Sequence, residues 1–207
     1  MVNVANVISV SRVILALVTL CLLFLPASPA SDTILWTAFA LTVIVIWADG
    51  LDGYFARKLN QSSKFGAILD IASDRAVEMA YWIVFSTLGW IAVWVPLLYL
   101  IRGTFVDAIR SFASEKGYTA FGTSTMMQSG LGKFLVASNF SRFTYAIVKA
   151  LAFCLVIAAQ TKALKSGITP KLAEYLVYGS AVFCVLRGLP VLVEGKSLFV
   201  TSEKSGT

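Results

Sequence analysis

From residue 13 to residue 31 the chain carries no charged side chain, and the same holds over 33–48 and 79–101; residues 143–161 carry only Lys149. A helix needs about 20 mostly apolar residues to cross the hydrocarbon core, and charged ends can snorkel to the interface. The runs predict six spans, at about 8–25, 33–57, 67–89, 92–113, 134–160 and 172–193. Composition agrees: 58% of the 207 residues are hydrophobic and the mean hydropathy is +0.81, above the roughly 45–50% apolar content of soluble domains. The expected fold is all-α, an integral membrane bundle of six transmembrane helices. No repeat or linker divides 1–207, which reads as a single membrane domain with a disordered tail at 197–207.

The first run lacks the short apolar region and small-residue cleavage site of a signal peptide, so it is expected to stay in the mature protein. Lys and Arg near span ends set orientation. Arg12, Arg57, Lys58, Lys64, Arg110, Lys116, Lys133, Lys196 and Lys204 fall on one side of a six-span chain, against Lys162, Lys165 and Lys171 on the other. Both termini are therefore expected in the cytoplasm, as are the cytoplasmic ends of the second and third spans.

Those ends hold four of the eleven acidic residues: Asp49, Asp52, Asp70 and Asp74. At about 100° per residue, Asp49 and Asp52 point within roughly 60° of each other and Asp70 and Asp74 within roughly 40°. The polar stretch "RKLNQSSK" between them suits a short connection of antiparallel helices, so the pairs can confront each other at one depth. Gly50, Gly53, Ala56, Gly66 and Ala67 let backbones approach or leave room for a ligand. Two carboxylates about 4 Å apart repel by about 4 kcal/mol at an effective dielectric near 20, so such a pocket must bind cations or take up protons. Solvated helix ends paired with Arg57, Lys58, Lys64 and Arg75 are the bland alternative. Four acids with matched facing at membrane depth argue for function.

The chain has no His, which removes Ser-His-Asp and Cys-His catalysis and His-based metalloprotease motifs. Cys21, Cys154 and Cys184 lie singly in apolar runs, without zinc or disulfide spacing, and read as buried small side chains. Oxygen ligands alone point to magnesium, manganese or calcium rather than zinc. Two ions held between facing helices would suit phosphoryl or phosphodiester displacement.

The pattern Asp49-x2-Asp52-Gly53-x2-Ala56-Arg57-x8-Gly66-x3-Asp70-x3-Asp74 resembles the signature of the CDP-alcohol phosphatidyltransferases at every fixed position. The resemblance implies a six-span membrane enzyme, usually dimeric, that uses Mg2+ or Mn2+ to move a phosphatidyl group from a CDP-linked lipid to an alcohol, releasing CMP. It implies that Asp49, Asp52 and Asp70 hold metal, that Asp74 completes the metal site and is the candidate base, and that Gly53, Ala56, Arg57 and Gly66 border the CDP group. The residue types fit independently: a carboxylate can take the acceptor's proton, and Arg57 offers a planar cation to a phosphate.

Arg102 and Arg110 share a face of the fourth span, and Lys133 and Arg142 enter the fifth. Four cations beside a metal site suggest an acceptor carrying a phosphate, with positive-inside anchoring as the alternative. Arg102-x7-Arg110, Gly132-Lys133 and the N-terminal "NVISVSR", with Asn6, Ser9 and Arg12, resemble the phosphatidylglycerophosphate-synthase branch. The chain then reads "FLVAS", where that branch has another Lys and a Thr. Glycerol 3-phosphate is favoured, with inositol phosphate or an unphosphorylated alcohol open. The expected partners are the CDP-linked lipid, the acceptor, membrane lipids and a second copy of the chain, and no nucleic acid.

Smaller expectations complete the reading. Trp36, Trp47, Trp82, Trp90 and Trp94 suit an interfacial belt, Glu78 pairs with a neighbouring Arg, and "FGTSTMMQSG" is a cytoplasmic loop or a flap over the acceptor. The competing class is a multi-span cation transporter, which would place its charged site near mid-membrane on broken helices.

Overall fold

The computed structural model describes residues 4–25, 32–58, 64–115, 117–118 and 125–203, with side chains at 6–25, 32–50, 65–115, 117–118 and 125–196. Helices are α1 (Val4–Leu22), α2 (Asp32–Lys58), α3 (Lys64–Thr87), α4 (Trp94–Glu115), the single turn α5 (Gly130–Gly132), α6 (Asn139–Ala158) and α7 (Thr169–Glu203), with a π-helical turn at Lys133–Ala137 between α5 and α6. No β-strand occurs among the described residues. Each long helix among the described residues overlaps one of the expected apolar segments, within about five residues at most ends, but α7 runs ten residues past the expected end at 193. Among the described residues, Asp32–Gly50, Asn139–Ala158 and Thr169–Lys196 are long and apolar enough to cross a membrane, and Asn6–Leu22 is a shorter apolar helix. α3 and α4 are interrupted by charge, through Asp70, Asp74, Arg75 and Glu78 in one and Arg102, Asp107 and Arg110 in the other.

The outward faces of α1 and α7 are apolar, unlike those of a soluble protein's surface helices. On α1, Ser9, Arg12 and Thr19 are buried with Ala16 and Leu20, whereas Val7, Val10, Ile14, Leu17 and Val18 are exposed. On α7, Ser180 and Arg187 are buried, whereas Val182, Leu186, Leu189 and Val193 are exposed. Apolar side chains facing outward along whole helices suit a lipid solvent, while the polar ones turn inward to find partners.

The chain packs as two compact units, Met1–Pro96 with Ala150–Tyr175, and Leu97–Lys149 with Leu176–Thr207. In the first, α1 packs against α2 and α3. Its aromatic core joins Tyr81, Trp82 and Phe85 of α3 to Phe153 of α6, with Tyr81 and Phe153 stacked at 4.8 Å and Trp82 edge-on to Phe153 at 4.6 Å. The Tyr81 hydroxyl meets the Thr42 hydroxyl at 3.0 Å, which satisfies both inside the core. Asp32, in the first turn of α2, accepts the Lys162 N–H at 2.7 Å. α3 ends in a Schellman motif: Gly89 has φ +72°, its N–H bonds the Ser86 carbonyl, and the Trp90 N–H bonds the Phe85 carbonyl.

In the second unit, Val106 and Ala113 of α4, Met126, Met127, Val136 and Val191 of α7 form the core. Tyr99 donates to the Ser180 hydroxyl at 3.0 Å, and Tyr145 stacks on Phe183. A Cβ on Gly195 would lie 2.7 Å from Ile109 Cγ2, so α7 meets α4 at a distance that only glycine permits.

Several expectations change. Trp82 is fully buried rather than interfacial, because Phe153 offers its ring a packing partner; Trp36, Trp47 and Trp94 are exposed. Cys184 is buried as expected, but Cys21 is exposed, since it lies on the outward face of α1. α7 runs on to Glu203, seven residues into the segment read as a tail, because no Gly or Pro stops it there; residues 204–207 lie outside the described residues.

Candidate metal centre

Asp49 sits near the end of α2, and Asp70 and Asp74 lie one turn apart on α3. One carboxylate oxygen from each lies within 4.8 Å of the others. That spacing is within a side-chain adjustment of a shared divalent ion, whose opposite oxygen ligands stand about 4–5 Å apart. Asp52 is one helical turn beyond Asp49, but its side chain, like those of Gly53, Ala56 and Arg57, lies outside the described residues. Gly66 is half-buried in the first turn of α3.

Two of the three acids, Asp49 and Asp74, are joined by a residue of α1. The buried Arg12 guanidinium forks, with Nη1 donating to Asp49 Oδ1 and Nη2 to Asp74 Oδ1 at 2.5 Å. A planar fork can join two carboxylates in a way an ammonium cannot. The pairing ties α1, α2 and α3 at one point. Its cation offsets one of the three negative charges, leaving a formal −2 on these residues before Asp52 is counted. Asp49 and Asp74 remain about half exposed, at 48% and 50%, and so reachable by ligands. Next to them, Arg75 donates to Glu78 at 2.8 Å, so Glu78 is held in an ion pair, as expected from the sequence.

The second unit gathers cations instead. Arg102 on α4 is buried, its side chain lying where a Cβ on Gly188 would be. Arg187, also buried, donates Nη1 to the Ser141 hydroxyl at 2.8 Å and Nη2 to the Val136 carbonyl at 3.4 Å, with its guanidinium 5.4 Å from the Tyr145 ring centre. Arg102 and Arg142 are both close enough to act on it electrostatically. Among the described residues, the Nε atoms of Arg102 and Arg187 are buried without a hydrogen-bond partner. Buried cations that lack full pairing are costly. Arg142 and Lys133 are exposed and Arg110 is half-buried. Arg110 lies about 12 Å along α4 from Arg102, so those two can share only a ligand placed between them. Lys133 has the Glu194 carboxylate as its electrostatic neighbour.

The model of the CDP-alcohol phosphatidyltransferase family matches residues 2–186. The chain belongs to this family. It is similar to proteins named CDP-diacylglycerol–glycerol-3-phosphate 3-phosphatidyltransferase: 30% identical over 77% of this chain and 84% of the protein from Pseudomonas fluorescens. The protein of that name from Cereibacter sphaeroides is 30% identical, over 55% of this chain and 52% of its own length. That from Escherichia coli K12 is 31% identical, over 56% and 62%. As a CDP-alcohol phosphatidyltransferase, the chain is a membrane transferase of phospholipid biosynthesis.

Two residues of this phosphatidyltransferase escaped sequence reasoning as site residues. Arg12 carried a signal, as a lone cation beside a long uncharged run that needs a counter-ion, but only the packing of α1 on α2 and α3 says which one. Arg187 stands alone in α7 between apolar neighbours, and its proximity to Arg102 and Arg142 spans more than forty residues of sequence.

Proposed function

We propose that the chain transfers the phosphatidyl group of a CDP-linked lipid to an alcohol bearing a phosphate, with glycerol 3-phosphate as the acceptor, releasing CMP. The observation that carries this is the Asp49, Asp70 and Asp74 cluster, two of whose acids Arg12 joins. With Asp52, these residues would hold divalent metal, two Mg2+ or Mn2+ ions in this reading, which would supply Lewis-acid stabilisation of the charge that develops on the departing CMP phosphate. Arg12 fixes Asp74 through Oδ1, and Oδ2 is the atom assigned to take the acceptor's hydroxyl proton. The acceptor oxygen forms a bond to the phosphorus that carries the lipid, the bond from that phosphorus to the CMP oxygen breaks, and the proton passes to Asp74. The nucleotide is assigned to Gly53, Ala56 and Gly66, and its phosphate to Arg57, on the family signature they belong to.

The acceptor's phosphate is assigned to Arg102, Arg110, Lys133 and Arg142, joined by Arg187. The incompletely paired Arg102 and Arg187 support this, because an anion would complete their hydrogen bonding. The names of the similar proteins favour glycerol 3-phosphate; the "FLVAS" sequence after Lys133 keeps inositol phosphate as a second acceptor to test. The reading includes six spans, one domain, a homodimer, and a cytoplasmic active site and termini.

The test supplies purified protein with labelled CDP-diacylglycerol, Mg2+ and a panel of acceptors, and measures CMP. Release with glycerol 3-phosphate is expected. No release with any alcohol, while liposomes containing the protein conduct cations, would overturn the enzyme reading. Activity with free serine, choline or inositol alone would remove the phosphate pocket.

A further inference from the structure

Glu194, near the end of α7, sends its carboxylate into the connection that precedes α6. It accepts the Gln128 N–H at 2.5 Å, the Ser129 N–H at 3.3 Å and the Ser129 hydroxyl at 2.5 Å. The Ser129 oxygen in turn accepts the Gly132 N–H at 2.9 Å, and the Lys133 N–H bonds the Ser129 carbonyl at 3.0 Å. One acid thus fixes the turn from which Lys133 projects. Two glycines make room for it. A Cβ on Gly132 would lie 2.4 Å from Glu194 Oε1, and Gly195 lets this part of α7 come against Ile109 and Met126. Met127 anchors the same turn in the core. The segment read from sequence as a loop or flap is therefore pinned at its described end.

We propose that Glu194 is a positioning residue for the acceptor site, holding the 128–132 turn so that Lys133 is presented to the acceptor's phosphate. The inference rests on the reading of Lys133 as a phosphate ligand. Two physical effects of Glu194 oppose each other, which makes the sign of the response informative. Its negative charge beside Lys133 disfavours an incoming phosphate, so removing the charge alone would tighten acceptor binding. Its hydrogen bonds order the turn, so removing them weakens binding. Charge-assisted bonds from a carboxylate to backbone N–H groups are among the stronger ones, and ordering is expected to win.

The experiment compares the full chain with Glu194→Gln and Gly132→Ala in phosphatidylcholine nanodiscs, with glycerol 3-phosphate as the probe. Glu194→Gln is expected to raise KM for glycerol 3-phosphate about tenfold while KM for CDP-diacylglycerol stays within about twofold, and to speed amide exchange at Gln128 and Ser129. Gly132→Ala, which displaces the carboxylate, should give the same split, and the two changes together should be no worse than either alone. If Glu194→Gln fails to fold by size-exclusion elution, Gly132→Ala carries the test. An unchanged or lowered acceptor KM, or fully additive effects, overturns the inference. Lys133→Gln separates the two levels of the argument. If it leaves the acceptor KM unchanged, the phosphate-pocket reading falls and takes this inference with it. If it raises that KM while Glu194→Gln does not, only the positioning role falls.

Discussion

Replacing Arg12 with Gln removes a cation shared by Asp49 and Asp74 and leaves a shorter, neutral polar side chain. The three carboxylate oxygens lie within 4.8 Å of one another, and two unit charges at that spacing repel by about 3 kcal/mol at an effective dielectric near 20. Asp49 and Asp74 are 48% and 50% exposed, so solvent screening reduces the net loss to about 1–2 kcal/mol. The assay is chemical unfolding of the detergent-solubilised protein in chelator, where only the ion pairs are read. Arg12→Gln, Asp49→Asn and the double variant form a cycle. The expected coupling between Arg12 and Asp49 is about 1 kcal/mol, because the double variant no longer leaves an unpaired charge. Additivity to within about 0.3 kcal/mol would refute the idea that Arg12 holds the cluster. With Mg2+ restored, the single variant should recover part of its stability, since a divalent ion neutralises the same carboxylates.

Three further outcomes follow from the same geometry. Asp74→Asn should lower CMP release by about 100-fold or more with folding intact; near-normal turnover would remove Asp74 as the base. Arg187→Gln should raise KM for glycerol 3-phosphate by about tenfold or more and leave that for the CDP-lipid unchanged, and an equal effect on both substrates would mark Arg187 as a general support of the α6 start. Gly195→Leu should destabilise the second unit by about 1–3 kcal/mol in unfolding experiments, because Ile109 stands where the new side chain must go; a neutral variant would show that α7 and α4 can separate there without cost.

The carboxylate site was legible because its determinants are local. Asp70 and Asp74 are one turn apart on a single helix and Asp49 lies near the end of the helix before it, so helical periodicity predicts which faces carry them. The partner of those acids was not legible, since Arg12 reaches Asp74 across 62 residues through a packing choice of α1. Trp82 shows the same limit: hydropathy marks an apolar helix but not which of its faces meets Phe153 and which meets lipid. The four cations proposed for the acceptor, similar in sequence, have unlike environments. Arg102 is buried, Lys133 and Arg142 are exposed, and Lys133 is paired electrostatically with an acid of α7.

The sequence by itself determined the all-helical class, the positions of the long helices and the family, because uncharged runs of this length admit few other structures and the spacing of the aspartates is fixed by one helical turn. Tertiary structure decided which charges meet. Arg12 with Asp49 and Asp74, Arg187 beside Arg102 and Arg142, and Glu194 on the Ser129 turn all join residues far apart in the chain. In a low-dielectric interior each charge must find a partner, and only the packing of helices determines which partner is within reach.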